Sequence, residues 1–148
     1  MDHSMHSAEL FMQGYNCAQA IAVAFSDVTG LTPDFSAKMA SSFGGGMGRM
    51  REVCGAVSGM LMVAGVLYGY DGPDEGENKM NHYARVQELA EGFRSQVGSI
   101  VCREILKNPP SDPNPSPRTE EYYRTRPCAR MVMVAAQVLD RYIAEHPL

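Results

Sequence analysis

Four cysteines, Cys17, Cys54, Cys102 and Cys128, carry the clearest chemical capacity in this 148-residue chain. They are separated by 37, 48 and 26 residues. No Cys-x-x-Cys pair occurs, so a thioredoxin-type motif and a zinc ribbon are excluded by spacing. Each cysteine falls on a different expected helix, and a helical bundle can assemble a site from side chains on facing helices. Cys54 lies within "SSFGGGMGRMREVCGAVSG", where six of nineteen residues are glycine. Cys128 follows Pro127, which favours a first helical turn, and Cys102 follows Ser99 by three residues, near a candidate helix start. Helix N-termini stabilise thiolates through unpaired N–H groups and the macrodipole. Arg49, Arg51, Arg103, Arg126 and Arg130 flank these three thiols and act in the same direction. The competing reading is four scattered, buried and inert thiols, since free cysteine is among the most buried residue types.

The glycines admit several readings. A phosphate loop needs a preceding strand and a Lys-Ser/Thr pair; "GMGRM" offers Arg49 but neither of these. Val53 to Tyr70 is an uncharged run of 18 residues, at the lower edge of membrane-spanning length. Gly55, Ser58, Gly59, Gly65 and Gly69 dilute it, so a buried central helix explains it better. Gly55 and Gly59 share a helix face. Each mid-helix glycine costs about 1 kcal/mol relative to alanine, so this spacing predicts a close backbone approach beside Cys54.

The elements that must position the thiols read as helices. Ser7 is an expected N-cap for one helix running to Phe25 and carrying Cys17. Pro33 opens a second helix, which the glycines Gly44 to Gly48 end. A third is expected from about Arg51 to Tyr68, a long fourth over "EGENKMNHYARVQELAEGFRSQVG", and a further one over "IVCREILK". "NPPSDPNPSPRT" holds five prolines and must be a surface loop, pinned by Tyr122 and Tyr123. Pro127 opens the last helix. No alternating strand pair appears. The expectation is all-α: residues 1–148 as one compact four-cysteine domain of five or six helices around a buried glycine-rich helix.

Composition agrees: 45% hydrophobic and 20% charged residues suit a globular chain. A net charge of -4 argues against nucleic-acid binding, which needs a basic face. "MDHSMHSAELF" lacks the pattern of a secretory signal, so the expected compartment is the cytoplasm. There, four cysteines are free, metal-bound or redox-active rather than structural disulfides. The eleven methionines read as gap-fillers, because Met60/Met62 and Met131/Met133 diverge on a helix. Met1-Asp2-His3 could bind copper or nickel, but reads better as a frayed terminus. His82 reads as a surface histidine, and Asp71, Asp74, Glu75 and Glu77 as a solvated acidic turn.

The order of motifs resembles the C_GCAxxG_C_C family of small four-cysteine chains described as redox-active. Cys17 in "GYNCAQA" corresponds to the first cysteine. Cys54-Gly55-Ala56-Val57-Ser58-Gly59 corresponds to the CGAxxG core, with Val53 where the family has glycine. Cys102 in "SIVCREIL" and Cys128 in "RPCARMV" correspond to the last two. The resemblance implies a redox role for all four cysteines, often in proteins encoded beside transporters.

Two chemistries fit. In one, Cys54 is an activated thiolate resolved by another cysteine as a disulfide. In the other, Cys17, Cys54, Cys102 and Cys128 hold an iron–sulfur cluster or zinc, with Gly55 and Gly59 letting backbone N–H groups approach the centre. The count of four favours the metal version, making the chain an electron carrier or oxidoreductase. Candidate partners are a redox partner protein, a transporter or other membrane protein, and a second copy of the chain. The non-redox alternative is a helical adaptor module.

Overall fold

The computed structural model describes residues 2–73 and 76–148. Helices α1 (Ser4–Met12) and α2 (Cys17–Ala24) replace the single helix expected from Ser7 to Phe25. The cause is local. Gly14, at φ +110°, turns the chain. Asn16 then accepts the Gln19 N–H at 2.8 Å while Gln19 Oε1 accepts the Asn16 N–H at 3.1 Å, a reciprocal capping box. Ser7 is not a cap. It is buried inside α1, where its hydroxyl donates to the His3 carbonyl at 2.8 Å.

The short turn α3 (Ser26–Thr29) ends at Gly30, and Thr32 caps α4 (Pro33–Ala40) by accepting the Phe35 N–H. After a 3-10 turn over Ser41–Phe43 comes the glycine loop. Residues 51 to 54 are not helical, Arg51 being left-handed at φ +64°, so α5 (Gly55–Tyr68) begins later than expected. They pair antiparallel with the segment before α7 (Cys102–Ile105) through the Val53–Val101 bridge. Cys54 N–H donates to Ile100 O at 2.7 Å, and Cys102 N–H to Glu52 O at 2.6 Å. The expected helix over "IVCREILK" is therefore one turn, because its first residues are spent on this pairing.

The long helix α6 (Gly76–Val97) lies where its polar periodicity put it, and Gly98 at φ +104° ends it. The five-proline segment is irregular. Short α8 (Glu120–Thr125) follows it, and α9 (Cys128–Glu145) closes the chain. Met131, Ala135, Leu139 and Tyr142 recur at helical spacing on the buried face of α9. The fold is all-α.

Helix α2 sits against α1, α4, α5 and α9, and it is buried at nearly every position. A methyl on Gly59 would stand 2.8 Å from Ala18 O and 2.9 Å from Ile21 Cβ; one on Gly55 would stand 2.8 Å from Phe43 O. The paired glycines thus admit the α2 backbone, as their spacing predicted. Helix α5 is buried through its first turns, but Val66 is exposed. Among the described residues no helix is long and apolar enough to cross a membrane.

The N-terminal segment is not frayed. His3 is buried, its Nδ1 2.6 Å from Asp140 Oδ1 and its Nε2 2.9 Å from Asp27, with its ring stacked on Phe25 at 4.0 Å. Both ring nitrogens are thereby engaged. The terminal-amine metal site considered above includes Met1, which lies outside the described residues, as do Asp74 and Glu75 of the acidic turn. His82 is buried rather than exposed: its Nδ1 faces Arg85 Nη1 at 2.9 Å, and Tyr70 packs edge-on against it. Burial and the adjacent guanidinium lower its pKa.

Candidate functional site

All four cysteines stand at helix starts around one cavity. Cys17, Cys102 and Cys128 are the first residues of α2, α7 and α9, and Cys54 caps α5. Cys17 was not expected in a first turn, because the Asn16–Gln19 box was not read as a helix boundary. The cavity has a volume of about 60 Å³ and is lined by all four. At about 10–15 Å³ per water-sized sphere it has room for roughly four atoms of that size. Each cysteine is buried, with 5–9% of its surface exposed.

The glycine loop forms one wall. Gly45 and Gly46 are left-handed (φ +64° and +69°), as are Met47, Gly48 and Arg49 after them. A methyl on Gly46 would lie 2.7 Å from Cys102 Cβ and 2.7 Å from Glu52 N. Only glycine fits there, on both conformation and space. The Gly45 N–H is thereby turned onto the Cys17 sulfur.

The thiols are electrostatically unequal. Cys17 is lowered to about 6. The main cause is a hydrogen bond from the Cys128 thiol, followed by the Gly45 N–H, against the cost of burial. Cys128 is raised by donating that bond, by burial and by the Cys17 charge. The two therefore titrate as one coupled pair, with the proton on Cys128. Cys54 is pushed up to about 12 by burial and by the Cys17 charge. The N–H groups of Ala56 and Val57 oppose this without reversing it. Cys102 is raised by burial, although Arg51 Nη1 lies 3.7 Å from its sulfur. A helix start alone does not decide which thiol is lowered, since all four cysteines have one. Desolvation outweighs the N-terminal N–H groups at Cys54, and the thiolate is Cys17.

Of the arginines flanking the thiols in sequence, Arg51 and Arg126 line the cavity. Arg103 turns outward to pair with Glu52, and Arg130 reaches the Gln96 carbonyl. Arg118, Tyr122 and Phe11 also line the cavity; the sequence marked Tyr122 only as a pin for the proline loop and gave Arg118 and Phe11 no place at the site. Arg118 donates to the carbonyls of Phe11 and Tyr15, each at 3.0 Å, and stacks on Phe11 at 4.4 Å. Tyr123 donates to Met12 O at 3.2 Å. The proline loop is pinned by its tyrosines, as expected, and it also delivers a cation to the site. Nothing in a proline-rich stretch signals that Arg118 folds back across more than a hundred residues.

The sequence pattern of the family described as "Putative redox-active protein (C_GCAxxG_C_C)" matches residues 15–142. The chain belongs to that family. The match spans all four cysteines, the glycine loop and the proline loop. No curated protein and no solved structure matches the chain.

Proposed function

We propose that the chain is a dithiol–disulfide redox protein whose reacting pair is Cys17 and Cys128. The observation that carries it is that both sulfurs line one cavity from the starts of two helices, where each sets the other's charge: Cys17 is lowered and Cys128 raised. Oxidation of the pair, one thiolate and one thiol, to a disulfide passes two electrons to a disulfide or peroxide acceptor and releases one proton. The order of events is built into the pair. Cys17, as the thiolate, attacks first. Its charge and hydrogen bond are what hold the proton on Cys128. Once Cys17 is consumed in a covalent bond, both effects vanish, and Cys128 becomes able to deprotonate and displace. Cys54 and Cys102 line the same cavity in protonated form, available to accept the disulfide by exchange.

A metal centre is the second reading, favoured by four cysteines from four helix starts around one cavity. An iron–sulfur cluster or zinc bound by Cys17, Cys54, Cys102 and Cys128 would need all four as thiolates. Among the described residues, no group of three histidine, cysteine or acidic side chains is placed to hold a metal ion. The dithiol reading needs only the contact already present.

One experiment separates them. Protein purified without oxygen is analysed for iron, sulfide and zinc, then treated with one equivalent of hydrogen peroxide and mapped by differential alkylation. The dithiol reading expects a Cys17–Cys128 disulfide and no stoichiometric metal. Stoichiometric metal that is lost in Cys54→Ser replaces it with the metal reading.

A further inference from the structure

The cysteine cavity shares a wall with a second, larger one. This basin, of about 250 Å³, shares Asn16, Gly45, Arg51, Arg118, Tyr122 and Arg126 with the cysteine cavity. Arg49 completes a set of four guanidiniums on its wall, and no acidic side chain lines either space. Among the described residues, only Arg49 of the four has a carboxylate partner, the exposed Asp112 at 3.9 Å. Arg51 is buried and spends its Nε on the Pro110 carbonyl at 2.9 Å. Arg118 is held by two carbonyls. The Arg126 side chain makes no hydrogen bond or ion pair among the described residues; its one contact is the face of Tyr122 at 5.3 Å. Arg49 and Arg51 are also held left-handed, at φ +68° and +64°, a conformation unfavourable to a non-glycine residue. In a chain of net charge -4, three cations without carboxylates around one opening are an anion seat.

We infer that this basin seats the carboxylate or other oxyanion group of a small anionic disulfide, whose sulfur then reaches Cys17 in the cavity beyond. The inference rests on the dithiol reading. Arg126, with its guanidinium free, binds the anionic group; Arg49, whose Nε and Nη1 already donate to the Asp112 carbonyl and the Ser116 hydroxyl at 2.9 Å each, adds its positive charge at the rim. Arg51 and Arg118, fixed in the shared wall, line the passage inward. The Cys17 thiolate attacks one sulfur of the disulfide, a Cys17–substrate bond forms, the substrate S–S bond breaks and one thiolate leaves. Cys128, losing its proton, attacks Cys17 Sγ and releases the second thiolate. The Cys128 proton passes to one of the departing sulfurs, so the protein ends as the Cys17–Cys128 disulfide and the substrate as one thiol and one thiolate. The cysteine cavity is too small for more than the sulfur end of such a molecule, so the anionic group must rest in the basin.

Two matched pairs of reagents test this. Iodoacetate and iodoacetamide differ little except in charge, and both alkylate thiolates. The ratio of their rates at Cys17, read by mass spectrometry, divides out the thiol's own reactivity. We expect this ratio to exceed that of free cysteine about tenfold at low salt. It falls to the free-cysteine value in 1 M salt and in Arg126→Gln, with Arg49→Gln as the second variant should the first fail to fold. Dithiodiglycolate should likewise oxidise the pair faster than neutral bis(2-hydroxyethyl) disulfide, and cationic cystamine slowest. An alkylation ratio equal to that of free cysteine, or a flat ranking of disulfides that still form the Cys17–Cys128 bond, overturns the anion seat. No Cys17–Cys128 disulfide from any of the three overturns the dithiol reading, and with it the disulfide substrate, even where the iodoacetate ratio is raised.

Discussion

Two of the places where buried polar side chains gather differ in closure. Around His3, every charged or polar partner is answered. Asp140 and Asp27 take the two ring nitrogens, Asp140 also takes the His3 N–H at 2.7 Å, and Phe25 covers the ring. Around Cys17, the account is open. Three guanidiniums lack carboxylates, four thiols hold one negative charge among them, and a cavity keeps space between them. A closed network fixes structure, since its members gain nothing from a further ligand. An open one keeps its charges at a cost in stability, which is the usual sign of a site that binds or reacts. The first region joins α1 to α3 and α9; the second is where the chemistry belongs.

The sharpest way to break this comparison is to remove one sulfur. Cys17→Ser should abolish the Cys17–Cys128 disulfide and strongly slow the formation of any other, because burial still raises Cys54, Cys102 and Cys128. Its thermal unfolding should stay close to wild type, since a buried hydroxyl can keep the contact with Cys128. Peptide mapping that still finds a full equivalent of disulfide in this variant would move the reacting pair elsewhere in the cavity.

His3→Ala should do the reverse. It leaves the half-buried Asp140 carboxylate without its partner and should cost about 2–3 kcal/mol. For a chain of this length that is a fall in Tm of roughly 5–10 °C. Cys17 alkylation in the folded variant should keep its rate and pH midpoint. A changed midpoint would mean that the two regions are coupled through α2, and that the distinction drawn above is too clean.

Much of this fold was legible in sequence, and the exceptions share a cause. The 3.6-residue pattern of α6 and α9, the Pro33 and Pro127 starts and the proline loop are local signals, and each is where it was expected. The paired glycines at 55 and 59 also announced their contact. What was hidden depends on partners far away in sequence. Arg118 lines the cavity only because it meets the Phe11 and Tyr15 carbonyls. Residues 51 to 54 stay out of the helix because they pair with residues 100 to 103. Cys17 is the thiolate because Cys128 lies against it, whereas helix-start reasoning favoured Cys54. The capping box at Asn16 and Gln19 is the one local signal that was present and unread.

Glycine contacts sharpen the comparison on a smaller scale, within α5 itself. Gly59 and Gly65 sit on one helix, but a methyl on Gly59 meets Ala18 O at 2.8 Å, while one on Gly65 meets nothing within 4 Å. Gly59→Ala should therefore destabilise by about 1–3 kcal/mol through overpacking against α2. Gly65→Ala should stabilise by up to about 1 kcal/mol through helix propensity. Opposite signs in denaturant midpoints test the close approach directly. Equal stabilisation by both would show that α2 does not press on Gly59.

The smallest effect is also the most specific to the open site. Cys128→Ala removes the donor that does most to hold Cys17 as a thiolate. Loss of a hydrogen bond to the charged form disfavours it, so the Cys17 midpoint must rise from about 6 toward the ordinary thiol value. The pH profile of iodoacetamide alkylation reads this as a shift to higher pH. The rate at neutral pH changes far less than the midpoint. A full return to the ordinary value would cut the thiolate fraction by about two orders of magnitude, but each pKa unit regained raises intrinsic nucleophilicity about threefold. The two effects largely cancel and leave a loss of only about fivefold. A single-pH assay would thus make Cys128 look unimportant, while the full profile would show its proton governing Cys17. A midpoint unchanged in Cys128→Ala would assign the low value to the Gly45 N–H and Arg118 instead, and Cys128 would lose its place in the pair.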